Sequence, residues 1–127
     1  MSQLTYEELT TSKPEKSLLV CRKESAGRNN TGRITTRHRG SGNAFKIRII
    51  DFGKQDKLNI EGNVRTVEYD PGRKAFIMLV VYKDGEKRYN LAPEGIKVGD
   101  TVLMAKRTKA KIGNRMQLSN IPVGCEI

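Results

Sequence analysis

A chain of 127 residues sits near the commonest single-domain size and can bury one modest core, so one folded domain with an extension is expected. With 36% apolar against 30% charged residues and a net charge of +10, much of its surface must stay in water or meet a polyanion. No apolar stretch approaches the ~20 residues of a membrane span, and the run Ala75 to Tyr82 is far too short, so a membrane partner is not expected.

In chain order, Met1 to Lys16 is polar and slightly acidic, and Thr10, Thr11, Ser12 and Pro14 block regular structure, so it reads as a flexible leader that Leu18, Leu19 and Val20 pin to the rest. From Cys21 to Gly42 the only large apolar residue is Ile34, and glycines stand at 27, 32, 40 and 42, so this segment cannot build a core of its own. The folded part is expected to begin at Ala44. Phe45 to Phe52 alternates as a first strand, with Phe45, Ile47 and Ile49 on one side and Arg48 and Ile50 on a mixed side. Gly53 to Asn59 is a polar turn, and Asn63 to Asp70 a second strand. Asp70-Pro71-Gly72 ends that strand, its φ preset by proline and freed by glycine.

Lys74 to Tyr82 is a third strand whose unbroken apolar run implies burial on both faces. Asp84-Gly85 signals a hairpin into a fourth strand, Glu86 to Leu91. Pro93 to Gly99 leaves room for one helical turn, Thr101 to Met104 gives another strand, and a last one is expected from Arg115 to Leu118. Five or six short strands without a helix of note make the fold all-β, a closed or nearly closed antiparallel barrel. The domain division is then 1–43, leader and basic arm, and 44–127, the barrel.

Charge becomes informative once it is located. From Lys16 to Arg48 nine bases face one acid, Glu24; residues 49–105 carry nine of each sign and cancel; Lys106 to Gln117 adds five bases and no acid. A binding footprint clusters in this way, whereas a solvated surface more usually mixes Lys with Glu. Within Gly27 to Gly42, Arg28, Arg33, Arg37 and Arg39 can each fork two donors onto a phosphate or a base edge. Asn29, Asn30, Thr31, Thr35 and Thr36 supply neutral groups for sugars and bases, and the glycines let the backbone approach closely. The run lacks the apolar face of a helix lying on a membrane.

Catalytic constellations are missing. His38 is the sole histidine, flanked by Arg37 and Arg39 without a carboxylate to orient it, so neither a nucleophilic triad nor a histidine metal site can be assembled. Asp51, Asp70, Asp84 and Asp100 each fall at a strand end or turn, where aspartate caps backbone groups. Gly40-Ser41-Gly42 is followed by neither a Lys-Ser/Thr pair nor a helix, so it is no phosphate loop. No enzymatic activity, cofactor, metal or small-molecule substrate is expected. Cys21 and Cys125 lack metal-site spacing and read as two reduced thiols of an intracellular protein in preference to a disulfide tying the ends. Few rings are available for stacking, which favours a folded RNA read by backbone and shape over single strands gripped at large.

At these residues the chain resembles a known family, the amino-terminal half of the universal ribosomal protein number two of the large subunit. The matching runs include Thr11-Ser12-Lys13-Pro14-Glu15-Lys16-Ser17-Leu18-Leu19, Gly27-Arg28-Asn29-Asn30, Gly32-Arg33-Ile34-Thr35 and Arg37-His38-Arg39-Gly40. They continue with Arg48-Ile49-Ile50-Asp51-Phe52, Glu68-Tyr69-Asp70-Pro71, Asp84-Gly85-Glu86-Lys87-Arg88-Tyr89, Leu91-Ala92-Pro93, Val98-Gly99-Asp100-Thr101 and Asn120-Ile121-Pro122-Val123-Gly124. The resemblance implies a barrel of the oligonucleotide-binding (OB) fold, followed in the family by an SH3-like barrel and a basic tail that have no counterpart in this sequence. It also implies binding to large-subunit rRNA, with the arm threading between RNA helices and Arg73 contacting RNA.

The sequence departs from the family where relatives read Gly-Gly-Gly-His-Lys-Arg, having Gly40-Ser41-Gly42-Asn43-Ala44-Phe45 instead, and where Lys106, Arg107, Lys109, Lys111 and Arg115 form a second basic patch. That patch either compensates for the altered end of the arm or is a solvated loop. The expected RNA-binding residues are Arg28, Asn29, Asn30, Arg33, Thr35, Arg37, His38, Arg39, Arg73, Lys106 and Arg107. The expected partners are large-subunit rRNA and neighbouring ribosomal proteins, on a cytoplasmic or organellar ribosome. The alternative is a non-ribosomal OB-type module that binds single-stranded nucleic acid or an acidic protein.

Overall fold

The computed structural model describes residues 6, 9–11, 13–22, 25–40, 46–53 and 55–125. Six strands form, β1 Leu19–Cys21, β2 Lys46–Arg48, β3 Glu61–Asp70, β4 Ala75–Tyr82, β5 Lys87–Leu91 and β6 Thr101–Leu103, with short 3-10 turns at Lys16–Leu18, Gln55–Lys57 and Leu118–Asn120 and no α-helix among the described residues. The fold is all-β and OB-like. A four-stranded antiparallel sheet runs β5-β4-β3-β6, and β1 pairs with β2 in a second sheet.

The two sheets meet where the chain leaves β2. Ile49 N–H donates to Leu18 O at 3.0 Å, Ile50 forms a parallel bridge to Tyr89, and Asp51 N–H donates to Tyr89 O at 2.7 Å. The barrel is therefore open, joined by single bridges. β1, from the span read as leader and arm, is paired along its whole length with β2.

β4 is buried on both faces, as its unbroken apolar run requires. Met78, Val80 and Tyr82 pack with Val64, Val67 and Val102 in one cluster, while Ile77 and Leu79 pack with Ile50 and Tyr89 in another, against which Leu18 rests. Val64 and Val67, an odd number of residues apart on β3, both reach the first cluster because the register against β4 slips between Val64 and Thr66, leaving Arg65 as the extra residue of a bulge. At Gly62 an added Cβ would lie 2.3 Å from Val80 Cγ1, so only glycine lets β3 approach β4 this closely.

Three expectations change. In the first strand the buried side is Arg48 and Ile50, while Ile49 is half exposed, because the Arg48 guanidinium lies between the buried carboxylates of Glu68 and Asp70; Phe45, and with it Asn43 and Ala44, lies outside the described residues. The strand expected from Arg115 to Leu118 shrinks to one bridge, Met104 with Arg115. Leu103 N–H, which would extend that ladder, donates instead to the Asn114 side chain at 2.9 Å. At the Asp70-Pro71-Gly72 turn, the positive φ falls on Lys74 (54°) rather than on Gly72.

Candidate nucleic-acid interface

Residues 25–40 of the arm fold onto themselves. Arg28 and Ile34 form an antiparallel bridge, and Asn29 N–H donates to Arg33 O at 3.0 Å. Two acceptors organise the turn. The Asn29 Oδ1 atom receives Thr31 N–H at 3.0 Å, Thr31 Oγ1 at 2.7 Å and Arg33 N–H at 3.0 Å. The Gly27 carbonyl receives Thr35 N–H at 2.9 Å, Thr36 N–H at 3.1 Å and Thr35 Oγ1 at 3.2 Å. Gly27 is the one buried residue of the hairpin, at φ +68°, and a Cβ there would stand 2.3 Å from the Thr36 carbonyl oxygen. Glycine here is a geometric requirement, not a flexible spacer.

The hairpin thus divides the expected RNA-binding residues into two kinds. Asn29 and Thr35 bond the turn itself, while Arg28, Asn30, Arg33, Arg37, His38 and Arg39 are exposed. Arg28 Nη1 donates to Ala26 O at 3.1 Å, which steadies its stem. No carboxylate among the described residues pairs with any of the four arginines. His38 sits in the left-handed region at φ 62°, turning the chain so that Arg37 and Arg39 flank it on the surface.

Arg73 stands elsewhere, on the barrel. Its Nη1 donates to Asp70 Oδ2 at 3.0 Å and to Arg48 O at 3.3 Å, and the guanidinium lies 5.8 Å over the exposed Phe52 ring. The turn therefore fixes it with about a third of its side chain open. Lys106 and Arg107 are exposed on a loop that is tied down at its base. Asn120 Nδ2 donates to Lys106 O at 2.8 Å, Asn114 Nδ2 to Lys109 O at 3.1 Å, and Ala105 N–H to Arg115 O at 3.1 Å. Within the patch, Lys109 and Lys111 are exposed, while Arg115 turns inward, its Nη1 reaching Asp51 O at 3.5 Å.

Sequence reading missed the buried polar cluster beneath Arg73. Glu68, 1% exposed, accepts from the Tyr89 hydroxyl at 3.0 and 3.1 Å, and that hydroxyl accepts Glu15 N–H at 2.8 Å. Burial first, and the Glu68 charge with it, push the Tyr89 phenol up to about 12 against the opposing pull of Glu15 N–H and Arg48. The other missed cluster is Lys57, nearly buried over the Tyr82 ring and paired with Asp84 and Glu86. Asp84 is held below its ordinary range first by its hydrogen bond to Lys57, and Glu86 first by Arg88 and then Lys57.

The four turn aspartates do cap as their positions suggest. Asp51 Oδ1 receives Gly53 N–H, Asp70 Oδ1 receives Gly72 N–H, Asp84 Oδ1 receives Glu86 N–H and Asp100 Oδ2 receives Lys97 N–H, at 2.8–3.1 Å. Cys21 and Cys125 are free and exposed.

A barrel whose charges are mostly paired with one another, beside a folded hairpin whose four arginines meet no carboxylate among the described residues, has the make-up of the basic modules that suit a polyanion. The family model described as Ribosomal Proteins L2, RNA binding N-terminal domain, matches residues 15–104, well over half of the chain, and the chain belongs to that family. It is thereby an RNA-binding ribosomal protein of a structural, non-enzymatic family, and the non-ribosomal alternative is set aside. The matched span takes in the hairpin and Arg73 but ends before the basic loop at Lys106.

Proposed function

We propose that the protein is a structural constituent of the large ribosomal subunit that binds large-subunit rRNA through its arm and barrel surface and performs no chemistry. In this reading residues 1–43 contribute the arm and residues 44–127 the barrel, with neighbouring ribosomal proteins as further partners on a cytoplasmic or organellar ribosome. Arg28, Arg33, Arg37 and Arg39 hold phosphates, Asn30 and His38 meet sugars or base edges between them, and Asn29 and Thr35 set the turn. Arg73, with Lys106 and Arg107, adds contacts from the barrel. The observation that carries the reading is the hairpin itself, whose turn is held by its own Asn29 and Gly27 hydrogen bonds while its four guanidinium groups face outward without a carboxylate among the described residues.

Salt titration against large-subunit rRNA tests it. If about six phosphates are neutralised, log affinity falls against log salt with a slope near −4 to −5. Replacing Arg28, Arg33, Arg37 and Arg39 together by alanine should remove about 3 of that slope while leaving thermal unfolding in place, because all four are exposed. Affinity independent of salt, or a wild-type slope in the quadruple variant, refutes the proposal.

A further inference from the structure

The segment at residues 13–16 does not lie flat on the barrel. It is held off the β3–β4 surface at fixed points. Before it, Thr10 N–H donates to Val67 O at 3.1 Å and Val67 N–H to Thr10 Oγ1 at 2.9 Å. After it, Glu15 N–H donates to the Tyr89 hydroxyl, and Lys87 Nζ pairs with Glu15 Oε2 at 2.9 Å. Between this segment and the sheet lies a cleft of about 740 Å³. That is within the roughly 300–1,000 Å³ of clefts that take organic ligands, enough for a short stretch of single strand and too small for a duplex.

Five cations line the cleft, Lys13, Lys16, Arg65, Lys83 and Lys87, against two acids, Glu15 and Glu68. Lys87 is matched by Glu15, Lys83 by Glu61, and the buried Glu68 by Arg48. Lys13, Lys16 and Arg65 have no ion-pair partner among the described residues. Arg65 faces solvent in alternation with Glu61 and Asn63, and the register slip of β3 falls at it. The only aromatic ring among the described lining residues, Tyr82, is buried and gives bases little to stack on, while Asn63 and Thr66 offer neutral groups to ribose hydroxyls.

We propose that this cleft is a second RNA site, separate from the arm, in which Lys13, Lys16 and Arg65 hold the sugar–phosphate backbone of an extended single strand. It rests on the rRNA-binding reading and assigns a part of the RNA contact that the arm does not supply.

The test uses the full chain with large-subunit rRNA and with a short oligouridine, in three variants: K13Q/K16Q/R65Q, its charge-keeping counterpart K13R/K16R/R65K, and the arm quadruple alanine. Removing three cations from single-strand phosphates should lower the salt slope by about 2 and the affinity about tenfold or more. The same loss is expected in wild-type and arm-variant backgrounds, as distant sites add. Oligouridine binding should vanish in the glutamine variant and survive in its counterpart, with the thermal midpoint unchanged in both. A wild-type slope in the glutamine variant beside a reduced one in the arm variant overturns the cleft and leaves the ribosomal reading standing; wild-type slopes in both overturn both. Equal loss in the charge-keeping variant overturns it as well. So does a glutamine variant that loses only poly-glutamate binding, which would assign the cleft to an acidic protein.

Discussion

Gly27→Ala separates the shape of the arm from its charge. Alanine at φ +68° costs about 1–2 kcal/mol relative to glycine. Its Cβ would also stand 2.3 Å from the Thr36 carbonyl oxygen, so the two strands of the hairpin must part. Parting them weakens the three bonds received by the Gly27 carbonyl, each about 0.5–1.5 kcal/mol net. An isolated hairpin is marginally stable at best, so a total of about 2–3 kcal/mol leaves the binding-competent turn only a few per cent populated. Apparent affinity for large-subunit rRNA should fall by about 30- to 160-fold, the factor that 2–3 kcal/mol amounts to. The salt slope should not move, because no cation is removed. Anisotropy titrations between about 50 and 200 mM salt measure both quantities, and circular dichroism should show an unchanged thermal midpoint. Gly32→Ala, at φ +80° with open space around it, carries the conformational cost alone and should lose only about 5- to 30-fold. Unchanged affinity in Gly27→Ala would refute a preformed hairpin, and a reduced slope would refute the separation of shape from charge.

Two further predictions concern the barrel. Tyr89→Phe leaves Glu68 short of a donor and Glu15 N–H short of an acceptor, and should destabilise the fold by about 1–3 kcal/mol at pH 7. The folded state also holds the Tyr89 proton more tightly than the unfolded chain, whose value is near 10.0, so its contribution is complete below pH 10 and drains away as pH rises toward about 12. Urea midpoints should show that alkaline decline in wild type and a shallower one in Tyr89→Phe; parallel declines would refute the assignment. At the acid end, Asp84, Glu86 and Glu15 are held low by Lys57, Arg88 and Lys87, so the folded state binds their protons more weakly than the unfolded chain. Their contribution is present above about pH 4.5 and is lost as pH falls. Lys57→Met should make that acid limb shallower, and an identical limb would show that the pair does not act.

The elements legible in the sequence were those with a local signature. β4 announced burial on both faces by its apolar run, and Asp84-Gly85 gave the hairpin, with φ 85° at Gly85 and Tyr82 N–H returning to Glu86 O. The four capping aspartates followed from their places at strand ends. What could not be read depended on partners far along the chain. Arg48 looks like a surface base until Glu68 and Asp70, twenty residues and more away, close around it. Arg65 looks like any exposed strand residue until the register slip makes it a bulge. The Arg115 strand failed because one asparagine side chain took a backbone donor, which no periodicity reports. In the arm, composition gave the arginines, but the turn held by Asn29 and Gly27 needed coordinates, because glycine and asparagine content reads equally well as an irregular tether.

The cancellation of charge over residues 49–105 acquires a meaning in the fold. Most of those charges are spent on one another, as Lys57 with Asp84 and Glu86, Arg88 with Asp51, Asp56 and Glu86, Arg73 with Asp70, and Lys83 with Glu61. Pairs like these add little to stability at an exposed surface, but they hold most of these charges back from phosphate, while Arg73 keeps about a third of its side chain open to it. Among the described residues, a polyanion approaching the protein therefore meets clustered uncompensated cations at the hairpin, at the loop of Lys106 and Arg107, and at Arg65 with its two lysine neighbours across the cleft, beside single exposed lysines such as Lys46, Lys74 and Lys97. Counterion release scales with the cations that face phosphate, not with the total. The measured salt slope should accordingly be well below what the chain's 24 basic residues would give, and its size counts how many of those places the RNA reaches at once.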